Sequence, residues 1–317
     1  MIAKIVAWKF ALMALAASVM LGSAPAHAQD KIIVVATTSI IADFVRNVGG
    51  ERVEVKSLVA PGSDAHVYSP SPADAKTIAD ARIVVANGLG LEGWLSRLVK
   101  ASGTKATQIV ATKGIKPIEA DDDHGHKEQG HKGHDKKSKH EESFDPHAWQ
   151  SVANVKTYVA NIRDALIAAD PASKGVYEAN ASAYITRLDA LDVEIRLALG
   201  RIPEERRKVI TTHDAFGYYA QAYGLTFIAP QGVSTEAEIS AKDIARIITQ
   251  IKKLKIPAVF LENVADPRLM QRISAESGAK IGGTLYSDAL SDDKGPASTY
   301  LDMMRHNLRQ FGAALNS

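Results

Sequence analysis

Two hydrophobic periods take turns along this chain. β-branched apolar runs at 32–37, 53–59, 83–86 and 108–111 have the length and composition of buried strands. Between them lie amphipathic stretches at 40–48 and 91–101. A further helix start stands at Ser71-Pro72, with serine as N-cap and proline in the first turn. Continuous apolar strands alternating with helices predict a parallel sheet covered on both faces. The same order returns in the second half. Strands are expected at 208–212, 225–229, 257–262 and 280–284. Helices are expected at 215–223, from a Ser240/Asp243 capping start to 255, at 267–277 and at 298–315. The two halves share an order of elements and no sequence repeat.

The middle of the chain reads differently. A helical stretch at 152–169 is followed by a new start at Asp170-Pro171 and a stop at Gly200. Within it Tyr177, Ala181, Tyr184, Leu188, Leu191, Ile195 and Ala198 recur at three-four spacing. This predicts one helix about 40 Å long, stiff enough to connect two lobes. The expected fold class is therefore α/β, with two lobes, each a mainly parallel four-stranded sheet flanked by helices, joined by one long rigid helix. The lobes are expected at 29–170 and 201–317, with the linking helix at 171–200. The stretch 120–143 breaks every periodicity. It carries five histidines among charged residues and no large apolar side chain, the composition of a disordered loop.

Composition adds limits. A chain of 317 residues is long enough for two cores. A net charge of +2 gives no basis for nucleic-acid binding. Lys4 and Lys9, an apolar run at 10–21 and Ala26-His27-Ala28 have the layout of a cleaved signal peptide covering 1–28. There is no cysteine, hence no disulfide and no site for a lipid-bearing cysteine. The expectation is a freely soluble periplasmic monomer without a lipid anchor.

Candidate chemistry lies in the histidines. Of ten, His27 leaves with the signal peptide, five sit in the charged tract, and His306 falls in the last helix as a surface residue. His66, His147 and His213 remain, each in a turn-rich loop near a strand end or a helix start. Asp288 lies just past the 280–284 strand. Three imidazoles and one carboxylate make a full tetrahedral set for a borderline cation such as Zn²⁺. Ligands in open parallel sheets gather beyond the carboxyl ends of strands, so two from each lobe place an ion in the cleft between lobes. Zinc held by three histidines can also activate water for hydrolysis. Here Asp288 takes the fourth position, and no His-Glu-x-x-His helix appears. An enzyme is therefore not expected.

Five segments bear a resemblance. They are Pro61-Gly62-Ser63-Asp64-Ala65-His66-Val67-Tyr68-Ser69-Pro70-Ser71-Pro72, Asn87-Gly88-Leu89-Gly90-Leu91-Glu92-Gly93-Trp94-Leu95, Asp145-Pro146-His147-Ala148-Trp149, Thr212-His213-Asp214-Ala215-Phe216 and Thr284-Leu285-Tyr286-Ser287-Asp288-Ala289-Leu290-Ser291. In this order they resemble the motifs of the metal-binding solute-binding proteins of ABC transporters, the cluster A-I family. The resemblance implies two α/β lobes joined by one long helix. It also implies capture of Zn²⁺ or Mn²⁺ between them and delivery to an ABC permease in the inner membrane. Carried over residue by residue, the ligands are His66, His147, His213 and Asp288.

Manganese members of that family typically have glutamate at the third ligand, so His213 points to zinc. A manganese or iron carrier on the same fold is the alternative. Imidazole suits Zn²⁺ and oxygen-rich sets suit Mn²⁺. A His-rich loop commonly accompanies zinc members. His124, His126, His131, His134 and His140 are therefore candidate auxiliary ligands, able to gather zinc or receive it from a periplasmic zinc chaperone. Asp64, Asp145 and Asp214 are acids placed to orient imidazoles, Glu236 and Glu262 acids placed to line the cleft, and the sequence assigns none of them a role. Histidine ligands bind as neutral imidazoles, so affinity is expected to fall below about pH 6.5.

Overall fold

The computed structural model describes residues 30–120, 144–236 and 239–316. The expected signal peptide and the five histidines of the charged tract lie outside the described residues. Residues 32–317 form one compact unit.

The first lobe contains β1 (Ile32–Ala36), α1 (Ser39–Gly49), β2 (Val53–Ser57), α2 (Pro72–Ala79), β3 (Ile83–Ala86), α3 (Leu95–Ser102) and β4 (Thr107–Val110). Its strands pair in parallel in the order β2-β1-β3-β4. β3 is buried along its whole length, as a strand covered on both faces must be. The helix starts obey their local chemistry. Thr38 caps α1 by accepting from the Ile41 N–H. Ser71 caps α2, with Pro72 in the first turn and Asp74 completing a capping box.

Two helices follow, α4 (Val152–Ala169) and α5 (Lys174–Leu199). Then come β5 (Lys208–Ile210), α6 (Gly217–Tyr223), β6 (Thr226–Ile228), α7 (Ala241–Leu254), β7 (Ala258–Glu262), α8 (Pro267–Ser277), β8 (Lys280–Leu285) and α9 (Tyr300–Leu315). The second sheet is again parallel, in the order β6-β5-β7-β8. Both sheets thus reverse strand direction of progress beside their first strand, β1 or β5. A crevice for ligand opens at that switch, beyond the carboxyl ends.

α5 is the linking helix. Its 26 residues span about 39 Å at 1.5 Å per residue. Tyr177, Ala181, Tyr184, Leu188, Leu191, Ile195 and Leu199 form its buried stripe. The stripe ends on Leu199 and not on the expected Ala198, because the larger side chain takes the inward position. The segment 171–173 is a short 3₁₀ turn and not part of the helix. α5 packs on α1 and α4 of the first half and on α9 of the second. One apolar cluster runs from Val34 in β1 to Leu315 at the end of α9 and includes this stripe. A second, smaller cluster under α7 and α8 gathers Ile210, Ile247, Ile251, Val259, Met270 and Ile273. Among the described residues no helix is long and apolar enough to cross a membrane.

Candidate metal centre

Each of the four candidate side chains reaches the crevice from a different loop. His66 lies between β2 and α2, after a turn in which Gly62 adopts φ +70°. Only glycine holds that left-handed geometry without strain. The Gly62 N–H donates to the Leu290 carbonyl at 2.8 Å, which ties the loop to the other lobe beside Asp288. His147 precedes α4, in a segment anchored by the Asp145 N–H on the Ile118 carbonyl at 2.9 Å. His213 follows β5 and forms a parallel bridge with Gln231. Asp288 follows β8.

One ligand atom from each of His66, His147, His213 and Asp288 lies within 4.8 Å of all the others. His66 Nε2 is 3.2 Å from His147 Nε2 and 3.8 Å from Asp288 Oδ1. His147 Nε2 is 3.0 Å from Asp288 Oδ1, and His213 Nε2 is 3.2 Å from Asp288 Oδ2. A tetrahedral ion with bonds of about 2.0–2.1 Å spaces its ligand atoms about 3.3 Å apart. The His147, His213 and Asp288 side chains are 0% exposed, and that of His66 is 6% exposed. Both Asp288 oxygens are buried, with the imidazole Nε2 atoms of His66, His147 and His213 as their polar neighbours. A carboxylate taken from water in that state requires a cation beside it.

The backs of two imidazoles are held. Asp145 Oδ1 accepts from the His147 backbone N–H at 2.9 Å and sits 2.7 Å from its Nδ1. Glu262, the last residue of β7, places Oε2 at 2.5 Å from His213 Nδ1. Its Oε1 accepts from the backbone N–H groups of Thr212 and His213 at 2.6 and 3.1 Å. A carboxylate on Nδ1 keeps the proton there and turns the Nε2 lone pair toward an ion. The sequence left these two acids unassigned among five. Asp145 is legible as a neighbour of its histidine, whereas Glu262 is 49 residues from His213. Asp64 accepts from the His66 backbone N–H at 2.8 Å. Asp214 is tied through its backbone N–H to the Gly232 carbonyl. Glu236 is exposed and lines, with His66, a cavity of about 580 Å³ at the mouth of the crevice. His306 is half-buried and not on the surface as expected, because its Nε2 lies 2.9 Å from the Thr284 carbonyl.

The carboxylates around the imidazoles favour their charged forms. Burial alone would lower the His147 pKa, but the Asp288 and Asp145 carboxylates outweigh it and bring it up to about 9. Burial likewise opposes the charged form of His213, and Glu262 with Asp288 raises its pKa well above the ordinary value. Burial would raise the Asp288 pKa, yet the two imidazoles hold it well below the usual carboxylate range. The His147 charge therefore stabilises the metal-free fold fully below about pH 6.5, and the contribution is lost as pH rises through about 9.

The comparisons with known proteins agree with this fold. The family model described as zinc-uptake complex component A, periplasmic (ZnuA), matches residues 34–314. The manganese-binding lipoprotein MntA of Halalkalibacterium halodurans is 34% identical over 89% of this chain and 88% of its own length. The iron-binding protein YfeA of Yersinia pestis is 34% identical over 88% of this chain and 85% of its own. The structure of the periplasmic zinc-binding protein TroA from Treponema pallidum superposes with a TM-score of 0.80 at 30% identity. That match covers 90% of this chain and 99% of TroA.

One expectation is corrected by these relatives. MntA and two streptococcal relatives are named lipoproteins, a membrane-anchored class, which conflicts with a freely soluble protein lacking a lipid anchor. The unanchored reading rested on the absence of cysteine, and a missing residue type does not establish how a chain is held. Placement outside the cytoplasm stands. The fold, the buried His₃Asp cluster and the match along nearly the whole chain make this protein a member of the ZnuA-type family, the periplasmic metal-binding substrate-binding proteins of ABC transporters, which are not enzymes and which serve an ABC permease.

Proposed function

We propose that the protein captures Zn²⁺ through His66, His147, His213 and Asp288 and delivers it to the permease of a zinc importer. The observation that carries this reading is the buried convergence of three imidazoles and one carboxylate, whose ligand atoms lie within 4.8 Å of one another. Imidazole-dominated sets suit Zn²⁺, which accepts four-coordination without water. The spacings of 3.0 to 3.8 Å bracket a tetrahedral edge. The name of the TroA structure also supports zinc.

A specific feature favours a second reading, a manganese or iron carrier. Both Asp288 oxygens face imidazole nitrogens, one toward His147 and one toward His213. A carboxylate placed so can bind through both oxygens and raise the coordination number, as larger, oxygen-preferring ions require. The names of MntA and YfeA agree with it. Competition among Zn²⁺, Mn²⁺ and Fe²⁺ for the purified metal-free protein, read by elemental analysis, separates the two. Retention of Mn²⁺ or Fe²⁺ against equimolar Zn²⁺ would exclude the zinc reading.

The carboxylates behind the imidazoles carry their own prediction. Glu262→Gln is expected to weaken Zn²⁺ binding about 10–100-fold, the usual cost of losing such a partner. Titration against a chelator of known affinity measures it, and an unchanged constant would show that Glu262 does not orient His213.

The proton arithmetic gives another. Zinc must displace the protons of His147 and His213, so binding is expected to release protons throughout the neutral range. Apparent affinity should keep climbing well past about pH 6.5, where isolated imidazoles would level off, because both histidines are raised above their ordinary value. Calorimetry in buffers of different ionisation enthalpy counts those protons. Release of none at pH 7.5 would contradict the charged, metal-free cluster.

A further inference from the structure

Residues 231–236, which follow β6, meet the loop after β2 at the mouth of the crevice. Their start is fixed beside one candidate ligand, since Gln231 bridges with His213 and the Asp214 N–H donates to the Gly232 carbonyl. Gln231 Nε2 then donates to the Thr235 carbonyl at 2.8 Å, which draws the loop into a turn. At its far side the Thr235 hydroxyl donates to Asp64 Oδ2 at 2.7 Å, across 171 residues of sequence. The other oxygen of that carboxylate, Oδ1, accepts from the His66 backbone N–H. Asp64 therefore touches the His66 backbone with one oxygen and the opposite lobe with the other. The loop also divides two cavities. Val233, Ser234 and Glu236 line one of about 580 Å³ together with His66. Gln231 and Thr235 line another of about 470 Å³ together with Asp64.

We infer that Thr235 is a positioning residue for metal retention: through Asp64 it locks His66 against the second lobe and slows release of the bound ion. This rests on the proposed site. His66 is the one candidate ligand whose side chain reaches solvent, at 6% exposure against 0% for the others, and it faces the outer cavity. An ion leaving by that cavity passes His66, so any bond that fixes this loop opposes departure more than arrival. Hydrogen bonds to a charged acceptor are the stronger kind, and this one spans the two lobes where they part.

The test is stopped-flow release of Zn²⁺ into excess chelator, with association measured separately, for the parent protein, Thr235→Val and Thr235→Ser. Valine keeps the shape and removes the donor, and serine restores the donor. Expected are release about tenfold or more faster in the valine variant, an association rate within twofold of the parent, and parent-like release in the serine variant. The melting temperature of the metal-free protein should be the same in all three. Release within twofold of the parent in Thr235→Val, or equally fast release in both variants, would overturn the inference while leaving the metal site intact. A parent protein that retains no Zn²⁺ would overturn the site reading and this inference together.

Discussion

Asp288→Asn is expected to lower the affinity for Zn²⁺ by about 10²–10³-fold. Four-ligand zinc sites bind with roughly 10–16 kcal/mol, so one ligand accounts for about 2.5–4 kcal/mol, and each 1.4 kcal/mol is a factor of ten. The loss should reach the upper end because Asp288 is the single anionic member of the cluster. The other two carboxylates, Asp145 and Glu262, stand behind imidazoles on their Nδ1 sides. Asparagine keeps the volume, so the pocket should not collapse. Its amide offers one neutral oxygen where the carboxylate offered two. Removing the charge also removes a main cause of the raised His147 pKa, so proton release on binding should fall in parallel. Chelator-competition titration reads the constant. An affinity within threefold of the parent would rule Asp288 out as a ligand.

The second large effect concerns stability. Phe44→Ala is expected to cost about 3–5 kcal/mol, the range for deleting a fully buried aromatic ring, with pair geometry adding to it. Phe44 is 0% exposed in α1 and meets rings from three other helices. Tyr158 of α4 lies edge-on at 5.5 Å, Tyr300 of α9 edge-on at 5.0 Å, and Tyr184 of α5 tilted at 6.4 Å. All three phenols are tied onward, Tyr184 by donating to Asp43 Oδ2 at 3.5 Å. Tyr158 donates to Asn87 Oδ1 at 2.6 Å, and Tyr300 donates to the Trp149 carbonyl at 2.8 Å. A hydrogen-bonded frame of this kind cannot close over the hole, so the cavity cost stays. Urea unfolding monitored by circular dichroism should show the midpoint falling at constant slope. A loss under about 1.5 kcal/mol would mean that the frame relaxes.

The fold was legible because its signals are local and redundant. β1 and β3 are nearly continuous β-branched runs, and the α5 stripe keeps three-four spacing for more than six turns. His66, His147, His213 and Asp288 stood out because each closes a turn-rich loop beside an element end, where side chains converge in parallel sheets. What stayed hidden was long-range or chemically ambiguous. A glutamate ending β7 reads the same whether or not it holds an imidazole, and nothing local links it to His213. The Asp64–Thr235 bond joins two unremarkable polar loops. Metal identity was not legible either, since one aspartate can bind through one oxygen or two and the sequence is the same. The unanchored localisation failed for another reason, because it was drawn from what the chain lacks.

The apolar cluster that runs from β1 to α9 bears on how the chain must fold. Tyr300, the first residue of α9, covers Phe44 in α1 and donates its backbone N–H to buried Asp43 at 3.0 Å. The amino-terminal half therefore cannot seal its interior until the last segment of the chain is in place. Contacts of such sequence separation form late and slowly. Neither half closes its apolar interior without the other.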